Sequence, residues 1–231
     1  MDEKINRSVL IGTDFNNVYR LSGSTSRQLI SKNLIPGIRV KDEKILIMSD
    51  QEFRIWDPFH SKLAAMILKD FSLPITKDST FLYLGAANGT TVSHVSDIVE
   101  KGMVYAIEIS PRAMKDLIKV SIHRNNVIPI LGDAMHPASY QNMVPEVDFL
   151  YQDIAQKEQA RIAILNAELF LKKTGVMILI IKARSIDSIG RKKDVFGNEI
   201  KKLEGLFKIK QSFDLEPFHK DHIVVVAQKF H

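Results

Sequence analysis

FLYLGAANGTTVSHVSDIV, residues 81–99, joins a short apolar run to a helix-like segment through a turn of small residues. Phe81, Leu82, Tyr83 and Leu84 form the run, and Gly85 stops it. Val92, Val95 and Val99 recur at spacings that share one helix face. Between them, Gly85-Ala86-Ala87-Asn88-Gly89-Thr90-Thr91 carries little side-chain bulk. A strand, a glycine-bounded turn and a helix start make a pocket for a nucleotide-like ligand, because backbone and free helical N–H groups approach it closely. The turn is not G-x-x-x-x-G-K-[ST], so a phosphate-cradling P-loop is unsupported, nor is it a clean G-x-G-x-x-G. Glycines serving packing alone would give the same turn, so the choice falls to the rest of the chain.

Downstream from Thr80 the rhythm is regular. Apolar strands are expected at Phe81–Leu84, Val104–Ile107, Val127–Leu131, Val147–Tyr151 and Val176–Ile181. Helices are expected at Thr91–Val99, Ala113–Arg124 and Glu158–Leu171, with Pro137–Val144 shorter and less regular. Strands apolar throughout, alternating with amphipathic helices, indicate a parallel sheet covered on both faces. Right-handed crossovers then place the strand C-termini on one edge. After a helix around Asn198–Gly205, Phe207–Phe213 and Ile223–Ala227 are separated by too few residues for a crossover, so they should pair antiparallel.

Upstream the texture differs. Ser8–Ile11, Val18–Leu21, Ile38–Val40, Ile45–Ile47 and Phe53–Trp56 are short β-like runs. Turns are expected at Asp14–Asn17, Ser22-Gly23-Ser24, Pro36-Gly37 and Asp42-Glu43. Residues 1–56 are thus expected to form a small β-rich domain and 57–231 the main one. Asp57-Pro58 marks the joint, and a helix over Ser61–Phe71 is expected to end at Pro74.

The 231 residues suffice for one full domain and a small appendage, with 45% apolar and 26% charged residues in an ordinary globular balance. There is no cysteine, hence no disulfide framework and no thiolate metal site. The seven histidines form no H-E-x-x-H spacing, and no metal is expected. No window is long and apolar enough to span a membrane, and MDEKINR lacks a signal-peptide core, so a soluble, cytoplasmic chain without membrane partners is expected. Lysine and arginine exceed the acids by 32 to 27, which suits a polyanion partner without demanding one.

Each parallel strand closes on a polar group. The first ends in the Gly85–Gly89 turn and the second at Glu108, placed to accept both hydroxyls of an adenosine ribose. The third ends in Gly132-Asp133-Ala134, where a carboxylate can meet an adenine amino group; the fourth ends at Asp153 and the fifth at Lys182. Singly, each would pass as a capping or solvated residue; as a series on one edge they favour a ligand site. A turn that need not hold a pyrophosphate, and an antiparallel last strand, suit S-adenosyl-L-methionine better than a nicotinamide dinucleotide. The expected fold class is α/β: a class I S-adenosylmethionine-dependent methyltransferase (Rossmann-like) fold with an antiparallel last strand.

Within that fold, WDPFHSKLAA, FLYLGAANGTTVSHVSDIV, YAIEISPR, LGDA, YQDIAQKEQ, IIKARSID and FHKDHIVV resemble fibrillarin, the ribose 2′-O-methyltransferase of box C/D guide RNA particles. The resemblance covers essentially the whole chain. With no glycine- and arginine-rich segment before MDEKINRSVL, it is to the short archaeal form. It implies cofactor contacts at Gly85, Ala87, Thr90, Thr91, Glu108, Ile109, Asp133, Ala134, Asp153, Ile154, Ala155 and Gln156. It implies a catalytic group of Lys62, Asp153, Lys182 and His222, the last standing where related ribose methyltransferases carry a glutamate. The implied partners are a box C/D guide RNA with its rRNA or tRNA target, a Nop-family scaffold protein and a kink-turn-binding ribosomal-like protein.

The chemistry such a site needs is modest. A sulfonium methyl is already activated, so the protein must align the hydroxyl with it and help the hydroxyl proton leave. A lysine serves as base when burial or a second cation eases loss of its proton. Lys182 is the expected base, Asp153 its orienter, and Lys62 and His222 the groups that position the hydroxyl and stabilise developing charge. Arg184, Arg191, Lys192, Lys193, Lys201, Lys202, Lys208 and Lys210 form a basic stretch suited to phosphates, or equally to a solvated face. The competing readings are a same-fold methyltransferase with another substrate and a catalytically silent docking subunit.

Overall fold

The computed structural model describes residues 9–22 and 28–230. Ser8, and Gly23 and Ser24 of the expected turn, lie outside them. Five strands form the first sheet: β1 (Val9–Gly12), β2 (Val18–Ser22), β3 (Gln28–Lys32), β4 (Ile45–Met48) and β5 (Gln51–Trp56). Their order is β1-β2-β3-β5-β4, all neighbours antiparallel. One strand was not foreseen and one expectation needs correction. Gln28–Lys32 is a central strand although QLISK holds only two apolar residues, and Ile38–Val40 is not a strand. That segment is held by side chains instead: Asn33 donates to the Ile38 carbonyl, and Glu52 and Glu43 accept from the backbone N–H of Gly37 and Val40.

Helix α1 (Lys62–Leu68) begins at Ser61, whose hydroxyl accepts from the Ala64 N–H. It stops at Lys69, earlier than Phe71 and Pro74, because Asp70 turns left-handed at φ +60°. The second sheet follows: β6 (Thr80–Leu84), α2 (Thr90–Ile98), β7 (Met103–Glu108), α3 (Pro111–His123), β8 (Val127–Leu131), a 3-10 turn (Pro137–Tyr140), β9 (Val147–Gln152), α4 (Gln159–Phe170), β10 (Leu171–Lys182), α5 (Ala183–Ile186), α6 (Lys192–Leu203), β11 (Phe207–Asp214) and β12 (His222–Lys229). The strand order is β11-β12-β10-β9-β6-β7-β8. β8, β7, β6, β9 and β10 run parallel, and β12 runs antiparallel to both β10 and β11. The expected terminal pairing is therefore present, and the β8-to-β9 crossover uses a single 3-10 turn in place of a helix.

Two apolar layers cover this sheet. Met66, Ile67, Val92, Val95 and Val99 pack on one face, and Ile162, Ala163, Ala167 and Phe170 on the other. Helix α2 is buried all round, its valines against the sheet and its polar residues toward β3 and β5. There the Asp97 carboxylate receives four donors. Arg54 Nη1 (2.7 Å) and the Ser31 hydroxyl (2.9 Å) meet Oδ2; Arg124 Nη1 (2.6 Å) and the Leu34 N–H (3.0 Å) meet Oδ1. His94 stacks on Trp56 with ring centroids 4.5 Å apart. A buried charge survives only when its lone pairs are filled, and here β3, Leu34 two residues past its end, β5 and the end of α3 fill them.

Candidate active site

The β6-to-α2 turn is shaped by backbone geometry. Gly85 and Gly89 both sit at φ +84°, and Ala87 at +48°. A Cβ on Gly85 would lie 2.5 Å from the Asp153 carbonyl oxygen, so only glycine lets β6 pass this close to the end of β9. The turn is then held by its neighbour: Glu108, 7% exposed, accepts from the Ala87 N–H at 2.7 Å and from the Ser110 N–H at 2.8 Å. One lone pair on each carboxylate oxygen is left for a ligand hydroxyl. Asp133 Oδ1 accepts from the Met135 N–H (2.9 Å) and the Gln156 amide (3.3 Å), which hold its carboxyl below the ordinary range.

Lys62 and Lys182 converge on one carboxylate. Lys62 Nζ lies 3.0 Å from Asp153 Oδ2, and Lys182 Nζ lies 2.7 Å from Oδ1. Lys62 opens α1, Asp153 follows β9 and Lys182 ends β10, so three elements meet at one edge. Burial pushes the Asp153 carboxyl up, and the Lys182 and Lys62 ammonium groups more than offset it, holding it below the usual carboxylate range. Tyr83 and Tyr151 sit behind it with ring centroids 4.7 Å apart. Burial first, and nearby negative charge after it, raise both phenols well above their ordinary value, which removes them as proton acceptors.

His222 faces Lys182 across the β10–β12 ladder. Its Nδ1 lies 2.6 Å from the Lys220 carbonyl, an acceptor only, so Nδ1 carries the proton and the neutral ring keeps its lone pair at Nε2. Burial lowers its proton affinity; the Lys220 bond opposes this and Lys62 and Lys182 add to it. His219 donates from Nε2 to the Pro58 carbonyl at 2.8 Å and is lowered likewise, chiefly by burial.

A cleft of about 1190 Å³ is lined by Gly85, Ala87, Thr90, Thr91, Lys62 and Asp153 among others, bringing those expected residues together. Glu108, Ile109, Asp133, Ala134, Ile154, Ala155 and Gln156 do not line it; they occupy adjoining strand ends, connected through the Glu108–Ala87 and Gln156–Asp133 bonds. Ile109 is half exposed, whereas Ala134 and Ile154 are buried. Sequence reasoning missed Ser61, which caps α1 and receives the Thr91 hydroxyl at 3.1 Å. It sits immediately before Lys62, and helix-capping chemistry was the available signal. It also missed Phe59, Phe218 and Asn88, which line the cleft. Among the described residues, no group of three or more histidine or acidic side chains could hold a metal.

The family model described as Fibrillarin matches residues 10–231. A "Fibrillarin-like rRNA/tRNA 2'-O-methyltransferase" from Methanosarcina barkeri is 52% identical over 206 residues, covering 87% of this chain and 91% of that protein. An Aeropyrum pernix fibrillarin, crystallised with natively bound S-adenosyl-L-methionine, superposes with a TM-score of 0.87 at 43% identity, over 96% of this chain and 99% of that one. A chain from a fibrillarin/Nop5p complex superposes with a TM-score of 0.85 at 44% identity, over 93% and 98%.

Proposed function

Because this chain belongs to the fibrillarin family, we propose that it is an S-adenosylmethionine-dependent ribose 2′-O-methyltransferase acting on rRNA and tRNA at guide-specified sites. The observation that carries this reading is the Asp153 carboxylate gripped by Lys62 and Lys182 beside the glycine turn. The residues present fit the donor. The free lone pairs of Glu108 suit the hydroxyls of its ribose, Asp133 its adenine amino group, and the small side chains of Gly85–Thr91 the sulfur-bearing arm. Bound there, S-adenosylmethionine supplies a methyl group already activated on a sulfonium.

The protein's own residues handle the hydroxyl. Two ammonium groups sharing one carboxylate leave a single net positive charge, which stabilises the oxygen as its proton departs. In the proposed step Lys182, oriented by Asp153 at 2.7 Å, first releases its own proton to solvent, and its neutral amine then takes the hydroxyl proton while the Lys62 ammonium positions the hydroxyl. A second reading rests on one observation: neutral His222 keeps its Nε2 lone pair, since Nδ1–H is donated to the Lys220 carbonyl. In that case His222 takes the proton and Lys182 only stabilises charge.

The proposed particle contains a box C/D guide RNA and its target, a Nop-family scaffold, as the likeness to the Nop5p-bound chain supports, and a kink-turn-binding ribosomal-like protein, all in the cytoplasm. Among the described residues no helix is long and apolar enough to cross a membrane. Calorimetric titration with S-adenosylmethionine, followed by tritiated-methyl transfer with and without the guide assembly, tests the reading. Methyl on ribose in the guided reaction alone is expected. Methyl on a base or on unguided RNA points to another substrate, and binding without transfer to a silent subunit.

A further inference from the structure

Phe59 stands outside the chemistry described so far. It is 60% exposed, in the loop between β5 and α1, three residues before Lys62. A lone exposed phenylalanine is unremarkable, but this one is paired and fixed. Phe218 meets it edge to face with ring centroids 5.2 Å apart, and both rings line the same cleft as Lys62, Asp153 and Gly85. The loop is braced from two sides. The Phe59 N–H donates to Asp57 Oδ1 at 2.8 Å, and the Pro58 carbonyl accepts from His219 Nε2 at 2.8 Å. An apolar surface is thus held firmly at the rim of the reaction site.

The occupant is constrained by what must enter. A target ribose has to reach Lys62 and Asp153 through this cleft, so a protein seated on Phe59 would obstruct its own substrate. A target selected by pairing with a guide arrives as an A-form duplex. Such a duplex displays its 2′-hydroxyls in a wide, shallow minor groove that a protein surface can meet without unpairing the bases. The sugar faces along that groove are apolar between hydroxyls and alike for every sequence.

We propose that Phe59 and Phe218 form a platform that packs against the ribose faces flanking the target nucleotide in the minor groove of the guide–target duplex. This rests on the ribose-methyltransferase reading above. The platform contributes binding contact that is indifferent to sequence, as a guided enzyme requires.

The test uses the assembled guide particle. For Phe59→Ala, KM for target RNA should rise about tenfold, the loss expected for a partly buried phenyl ring, while kcat at saturating target and the affinity for S-adenosylmethionine stay unchanged. Phe59→Leu, which keeps apolar surface, should restore most of the KM. With 2-aminopurine at the target position, fluorescence should stay quenched in the wild-type particle. An unchanged KM for Phe59→Ala overturns the proposal. So does weakened cofactor binding, which would assign the ring to the donor, and so does failure to enter the particle, which would assign it to the scaffold. Equal loss in Leu and Ala variants, or bright aminopurine, would mean stacking on an extruded base instead. A wild-type particle that binds S-adenosylmethionine yet methylates nothing overturns the functional reading itself.

Discussion

His222 and Lys182 offer the reaction two different lone pairs, and pH separates them. His222 is held below the ordinary imidazole value of about 6.5, first by burial, so it is neutral at pH 7 and protonates only in more acid solution. If it takes the hydroxyl proton, the methylation rate falls on an acid limb lying below about pH 6.5, and His222→Ala removes both limb and rate. If Lys182 is the base, Lys182→Met abolishes single-turnover transfer with cofactor binding retained, and His222→Ala keeps a measurable rate. Rate–pH profiles of the two variants distinguish these outcomes. A second expectation concerns Gly85→Ala: its φ of +84° and the 2.5 Å approach to the Asp153 carbonyl force β6 and β9 apart. Affinity for S-adenosylmethionine should drop by roughly tenfold or more, read by calorimetry. Glu108, Asp153 and Lys182 were legible because each closes an apolar strand, where a lone polar group stands out. Lys62 was not legible in this way: it opens a helix ninety-one positions before Asp153, and the family resemblance alone grouped the two.

At the scale of elements, the parallel strands could be read because burial on both faces leaves them apolar throughout. The first sheet was harder. β3 is QLISK, whose Ser31 points into a polar junction, so its alternation carries no apolar signature. Ile38–Val40 has the composition of a strand but its backbone is satisfied by Glu43 and Asn33 side chains. The basic stretch spanning α5, α6 and β11 is also less free than its composition implies. Arg184 and Lys192 contact Asp221, Arg191 contacts Asp194 and Lys202 contacts Glu199, while Lys193, Lys201, Lys208 and Lys210 have no ionic partner among the described residues. If these four track phosphates, changing Lys193 and Lys201 to Gln should lower the salt dependence of RNA binding by a slope of up to about 2. Titration of guide-particle binding at several salt concentrations reads this, and an unchanged slope assigns them to a solvated face.

Taken whole, the molecule turns on α2, whose first turn borders the cofactor cleft and whose Asp97 ties the first sheet to the second. Asp97→Ala leaves Arg54 and Arg124 buried without their shared carboxylate, with an expected loss of about 3–5 kcal/mol in denaturant unfolding. His94 adds a pH dependence. Burial, reinforced by Arg54 and Arg124, holds it well below its ordinary value, so the folded ring stays neutral where the unfolded one binds a proton. Stability from this residue is complete above about pH 6.5 and is lost progressively in more acid solution; His94→Gln should flatten that part of the curve. None of these polar residues was singled out by sequence, because a helix buried on two sides against different layers shows one apolar face and hides its second interface.

The position of β12 has a consequence for how the protein is made. It follows β11 in the chain yet lies between β11 and β10 in the sheet. While the chain is being synthesised, β11 therefore has no strand to join, and the edge of β10 stays open until β12 arrives. His222, the first residue of β12, reaches its place opposite Lys182 in that same step. A nascent chain that stops short of β12 holds the glycine turn and both lysines but leaves the edge of β10 unpaired and the place opposite Lys182 empty.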